Sequence, residues 1–421
     1  RWVLTAPVDQ LTPKAKSQRA AILNRYPQIG ESTNRIEQLA AELRKLPLNP
    51  PDKSDEQRKQ QELFVEQLNH SRLLESTFAG LALRRQPADL VFPPAASFSD
   101  ISKGLRDGLV MVAALQTSSG YHLYALTQQS RRYLGVVRAR DLNKAVGQMY
   151  KELGITDANN AIDSVTLAAS EWKQAAADLK QLIFEKYDDD QWNTVDELVV
   201  VPDGLLWYVP FEILQIGDGE DGWQNLCERV KIRYLPVISL ASLSRWQTPP
   251  DLRMAVVAGK IHPKANPKLA ALSTEELRDS ITNAVAFDSP VKIPSNLLNT
   301  VVDSLVVWSD MPLSERDGVY ALLPFQLDKG RIGSTLGGWM TTPWHGPEKI
   351  ILPMLSSGIA NGLKSRSNGH ELFLTSCGLL ASGVKTALIS RWRAGGENSL
   401  TLSREFAIRS RSMSPLQALQ E

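Results

Sequence analysis

Two cysteines in 421 residues, Cys227 and Cys377, exclude a disulfide framework and a cysteine-based zinc site, since both need several. A reducing cytoplasm is the expected setting. The sequence also lacks a charge excess. Its 47 basic and 46 acidic residues leave a formal net charge of +1, whereas nucleic-acid binders carry a clear basic surplus. No nucleic-acid partner is expected. Long apolar runs are missing too. None approaches the ~18–20 residues of a membrane span, and the opening RWVLTAPVDQLTPKAK has no apolar core behind its arginine, as a signal peptide would. No membrane association is expected. The chain starts on Arg1 rather than Met, as an internal piece of a longer protein does. Histidine is scarce. His70, His122, His262, His345 and His370 are scattered, with no His-x-x-x-His pair, so neither a metal site nor a cofactor is expected.

What is present divides into three stretches, and the length suits two or three domains at ~100–200 residues each. Residues 1–95 read as a helical lead-in, because residues 12–86 are rich in good helix formers. In IEQLAAELRKL the apolar positions Ile36, Leu39, Leu43 and Leu46 recur at three- and four-residue steps. NPPDKSDEQ breaks that helix, and Ser54 or Asp55 can cap the next. Helical spacing resumes through Leu63, Val65, Leu68, Leu73 and Leu74. Helices over 31–48 and 55–80, packed as a hairpin, are predicted. Residues 96–145 read as a small antiparallel meander of DGLVMVAAL, YHLYALTQ and YLGVVRA, either part of the core or packed on it. Residues 146–421 then alternate helices with buried-strand candidates: DELVVVPD, VKIRYLP, RMAVVAG, SLVVWSD, EKIILP and KTALISRW. The fold class is α/β, a mixed, mostly parallel sheet flanked by helices. Strands ending near Val201, Val257, Trp308, Leu352 and Ile389 are expected in one sheet, because each is apolar enough to be covered on both faces.

The most informative stretch is ELVVVPDGLLWYVPFEIL, residues 197–214. Val199, Val200 and Val201 suit a buried strand, Pro202-Asp203-Gly204 is turn chemistry, and Trp207, Tyr208, Pro210 and Phe211 form an aromatic segment entering a helix. RYLPVISLASL follows, with Val237 after Pro236, and GHELFLTSCGLLASGVKTALISRW lies near the C-terminus. In that order the three anchors resemble the CHAT domain, the caspase-like domain associated with tetratricopeptide repeats. They cover residues 197–392. The meander and the helices before it also resemble the region that often precedes this domain. The resemblance implies a bacterial protein with a caspase-like core, helical repeats upstream and protein partners.

Active members of the family use a His at the end of one strand and a Cys at the end of the next, the thiolate acting as nucleophile and the imidazole as its base. The corresponding strands here are DSLVVWSDMP and KIILPMLSSG. Carried over residue by residue, the His position falls on Asp310 and the Cys position on Leu355, three residues before Gly358. An ordinary Asp has a pKa of ~3.9 and is no imidazole base at neutral pH. Ser356 and Ser357 lie beside the position as hydroxyls with no His to activate them. The catalytic positions thus read as degenerate, and the resemblance implies a non-catalytic interaction or signalling module. The alternative is an active cysteine endopeptidase of the caspase/separase type, through a relocated dyad of His345, in TPWHGPEK, and Cys377. Residues 378–386, GLLASGVKT, imitate a phosphate loop, but Val384 breaks the Gly-Lys spacing and a helix precedes where a strand belongs. A Gly-terminated helix entering a strand is expected there. NGLKSRSNG and RSRSM read as solvated basic turns.

Overall fold

The computed structural model describes residues 8, 13–83, 97–155, 171–187, 189–216, 224–240, 253–258, 279, 281, 284–288, 300–309, 311–313, 335–340, 347–357, 359–363, 368–392 and 396–420. The chain begins with three helices: α1 (Pro13–Arg25), α2 (Pro27–Lys45) and α3 (Asp55–Leu83). Pro27 opens α2 at a position where its missing N–H costs nothing. Ser54 Oγ accepts from Gln57 N at 3.1 Å and so caps α3. The predicted hairpin is present, with Ile29, Ile36, Leu39 and Leu43 of α2 and Leu63, Phe64, Leu74 and Phe78 of α3 buried. Arg35 bridges the two helices to Glu66 at 2.7 Å. Val65 and Leu73, expected in the apolar stripe, face outward instead. At 3.6 residues per turn they lie off the line through Leu63, Phe64 and Leu74, and buried Gln67 and Ser71 stand on that line.

A short helix α4 (Phe98–Gly104), closed by a Ser97–Asp100 capping box, leads into the meander β1 (Leu109–Thr117), β2 (Gly120–Leu126) and β3 (Arg131–Val137). Helices α5 (Ala139–Glu152) and α6 (Glu171–Phe184) follow, then β4 (Glu197–Val201) and β5 (Lys231–Tyr234). These five strands form one mixed sheet in the order β3-β2-β1-β4-β5. The meander is antiparallel, and β4 is parallel to both its neighbours. A second sheet is wholly parallel, in the order β12-β10-β8-β6-β7. It comprises β6 (Met254–Ala258), β7 (Ala284–Asp288), β8 (Ser304–Trp308), β10 (Lys349–Leu352) and β12 (Thr386–Ile389). A two-stranded ladder of β9 (Met311–Pro312) and β11 (Leu355–Ser356) lies beyond its strand ends. Helix α7 (His370–Ala381) precedes β12, and α8 (Gly396–Arg409) follows it.

The α/β class holds. The expectation of a single sheet does not: the strand ending at Val201 belongs to the first sheet, while those ending near Val257, Trp308, Leu352 and Ile389 share the second. A run buried on both faces reveals its covering layers but not its edge partners. Both edges of β4 are taken, by β1 and β5, which leaves none for β6. One continuous apolar cluster nonetheless runs from Leu39 and Leu63 of the hairpin through Leu198 and Val200 to Leu305 and Ile350.

Each sheet carries one buried carboxylate at the start of a central strand. Glu197 accepts from Arg106 at 2.7 Å and Arg233 at 2.5 Å. Asp303, just before β8, accepts from Arg44 of α2 at 2.6 Å and from the Arg253 N–H at 2.9 Å. The Arg253 guanidinium in turn donates to the Arg44 and Leu46 carbonyls at 2.6 and 3.2 Å, satisfying the end of α2. The hairpin is thereby latched onto the parallel sheet.

Candidate functional site

The site is built where β8 and β10 end. After Leu352 the chain turns through buried Pro353 and Met354 and re-enters a strand at Leu355, which pairs with Met311. Met311 N donates to Met354 O at 3.2 Å, and Leu313 N to Ser356 O at 2.7 Å. The segments expected to bear the two catalytic positions are therefore neighbours. Leu355 is 0% exposed and belongs to the main core cluster. It faces the interior, because a leucine at this register gains more from the core than from solvent. Asp310, Gly358 and His345 lie outside the described residues.

Ser357 is held rather than activated. Its N–H and Oγ both donate to the Arg391 carbonyl, at 3.1 and 2.8 Å. Arg391 follows β12 by two residues and reaches back to the first sheet. Its Nε donates to Trp207 O at 3.1 Å, its Nη1 pairs with Glu212 at 3.0 Å, and its guanidinium lies 4.3 Å from the centre of the Tyr234 ring. Burial works against the Arg391 charge, but Glu212 and the phenols of Tyr234 and Tyr150 hold its pKa above the ordinary arginine value. A second contact runs in parallel. Tyr150 donates to Tyr208 O, and Tyr208 donates to the buried carboxylate of Glu371 at the start of α7, both at 2.7 Å. Glycine is required where these segments cross: a Cβ at Gly362 would overlap the Tyr208 hydroxyl, and one at Gly369 the Gly204 carbonyl. The Pro-Asp-Gly corner and its aromatic run thus act as a bolt between the first sheet and the strand-end loops of the second.

Cys377 sits on α7, half-buried, with its thiol pKa raised by burial. His370 opens the same helix and stacks on Phe373, with ring centres 6.4 Å apart. Seven residues of helical rise separate it from Cys377 by about 10 Å, too far for proton transfer. The Cys227 thiol is pushed up to about 11 by burial, then by Glu212 and Glu228. The phosphate-loop imitation is the expected Gly-terminated helix: α7 ends at Ala381, Gly383 takes φ +102°, and Lys385 pairs with Glu348 at 2.7 Å before β12. Among the described residues no three His, Cys, Asp or Glu side chains gather to hold a metal, and no helix is long and apolar enough to cross a membrane. The RSRSM turn differs from expectation at Ser410, which is buried and accepts from Lys349 Nζ at 2.9 Å.

The sequence pattern does not mark Arg391, Glu212 and Glu371 as contact residues, and Tyr208 reads there only as part of the aromatic segment. The available signal was Tyr208 and Glu212, polar groups inside the apolar run from Leu205 to Leu214; their partners lie more than 160 residues away.

Two sheets with helices against them, and loops converging on the ends of adjacent parallel strands, define a caspase-like α/β module. Residues 173–340 match the family model of the CHAT domain, and this stretch of the chain is a CHAT domain. The match takes in the first two anchors, from β4 to the segment after β5, and strands β6, β7 and β8 of the second sheet. No curated protein matches the chain.

Proposed function

We propose that the protein is a non-catalytic CHAT-domain module that works through protein interaction or signalling. The observation that carries this reading is Leu355. At the position that the resemblance assigns to the family's nucleophile stands a side chain without chemistry, which is buried in the core and pairs with Met311. The neighbouring hydroxyl of Ser357 is engaged as a donor to a carbonyl. Cys377 has a thiol pushed away from the thiolate, the reverse of what a nucleophile needs. Upstream helical repeats and bacterial origin, implied by the family resemblance, fit a module whose partners are proteins. On this reading a helical lead-in at 1–95 and a meander at 96–145 precede the domain proper at 146–421.

The test is incubation of the purified chain with a mixed peptide library, with and without Ca²⁺, read by mass spectrometry. No cleavage above the buffer control is expected. Cleavage lost on Cys377→Ser and on His345→Ala supports the cysteine endopeptidase instead.

A further inference from the structure

The helical lead-in contains two apolar clusters rather than one. Near the loop between α2 and α3, Leu39, Leu43, Leu63 and Phe64 belong to the core that both sheets share. Towards the other end, Ile22 of α1, Ile29 and Ile36 of α2, and Leu74 and Phe78 of α3 form a cluster of their own. The near end is the one that Arg44, Asp303 and Arg253 latch to the parallel sheet.

A polar layer separates the two clusters. Ser32, Gln67 and Ser71 are buried. The Arg35–Glu66 and Ser32–His70 contacts, at 2.7 and 3.3 Å, set these residues at one level of the hairpin. Two of the three are satisfied: Ser71 donates to the Gln67 carbonyl at 3.0 Å, and Ser32 bonds His70. Gln67 is not. The residue is 0% exposed, and neither its Oε1 nor its Nε2 has a hydrogen-bond partner in the protein. An amide taken from water without a partner raises the free energy of the closed hairpin. Parting the helices at this level returns it to water.

We propose that the layer of Ser32, Gln67 and Ser71 is a seam, at which the far end of the lead-in opens as one cooperative unit while the near end stays on the sheet. The unit comprises α1, α2 up to Ile36 and α3 beyond Gln67. Its opening costs less than unfolding of the core, because it gives up only the smaller cluster and relieves the Gln67 amide. It bares Ile29, Ile36, Leu74 and Phe78, so the lead-in has a closed and an open state that differ in apolar surface. Nothing in this inference uses Leu355, and it stands whether or not the strand-end loops are silent.

The experiment is hydrogen exchange of the full chain, read amide by amide by mass spectrometry. Amides at 31–36 and 71–78 share one level of protection, about tenfold or more below those at 39–43 and 60–64, with the step at Gln67. Gln67→Met keeps the length of the side chain and removes its polar atoms. It raises far-end protection by about tenfold and leaves the near end unchanged. Leu74→Ala lowers far-end protection by about tenfold or more, with β4 and β10 as protected as in the parent. A gradual decline along each helix in place of a step is ordinary end fraying and overturns the proposal. So does a Leu74→Ala effect spread equally over both sheets, which makes lead-in and core one unit. Far-end protection that Gln67→Met leaves unchanged or lowers overturns the seam as well, because the amide is then satisfied in solution.

Discussion

Lys349 opens β10 with its side chain almost fully buried, donating to the Ser410 carbonyl and to Ser410 Oγ. Burial, first, and the nearby Arg411 push its pKa down to about 8, against a smaller upward pull from Glu348. The folded state therefore binds this proton less tightly than the unfolded chain, whose lysine titrates near 10.4. Stability contributed by the group is present in full above the unfolded value and is lost as pH falls through 8. The size is on the order of 2–3 kcal/mol, from the shift at 1.36 kcal/mol per pKa unit with a discount for residual solvent. Chemical denaturation across pH 7 to 10.5 should show the parent gaining stability relative to Lys349→Met over that window. A constant difference between the two would remove the buried lysine as its source.

Among the elements, the hairpin and the parallel sheet are joined by Arg44, Asp303 and Arg253. Asp303 is buried, while Arg44 is about one-third exposed, so the pair is partly screened. A double-mutant cycle with Arg44→Ala and Asp303→Ala should give a coupling of about 1–2 kcal/mol. Asp303→Ala should cost more than Arg44→Ala, because it also strips the acceptor from Arg253 N. Urea denaturation of the four proteins checks both. What the sequence revealed at this scale follows from what is local. Ser54, the α2 stripe and nine strands are written in short windows of capping and apolar pattern. β7 was not among the strands predicted, because AVAFD offers only four apolar residues, two of them alanine, before an aspartate. The split between sheets was illegible for a related reason: edge pairing of β4 with β1 joins residues near 109 to residues near 197, and no local pattern encodes it. The same distance hid the Arg391–Glu212 and Tyr208–Glu371 contacts.

At the scale of the molecule, a mixed sheet and a parallel sheet share one apolar core, with the Pro-Asp-Gly corner bolted to the strand-end loops between them. The Pro-Asp-Gly corner here serves architecture: Tyr208, Glu212 and Arg391 fix the loops in place, and on the reading we propose Leu355 fills the position where reactivity would reside. The most direct measurement is the rate of Cys377 alkylation by iodoacetamide as a function of pH, in Cys227→Ser and in Cys227→Ser with His345→Ala. A thiol whose pKa is raised by burial should react slowly at pH 7, with a rate that climbs through pH 9 and is the same in both proteins. Fast alkylation already on a plateau at neutral pH, and abolished by His345→Ala, would mean an activated dyad and would contradict the account.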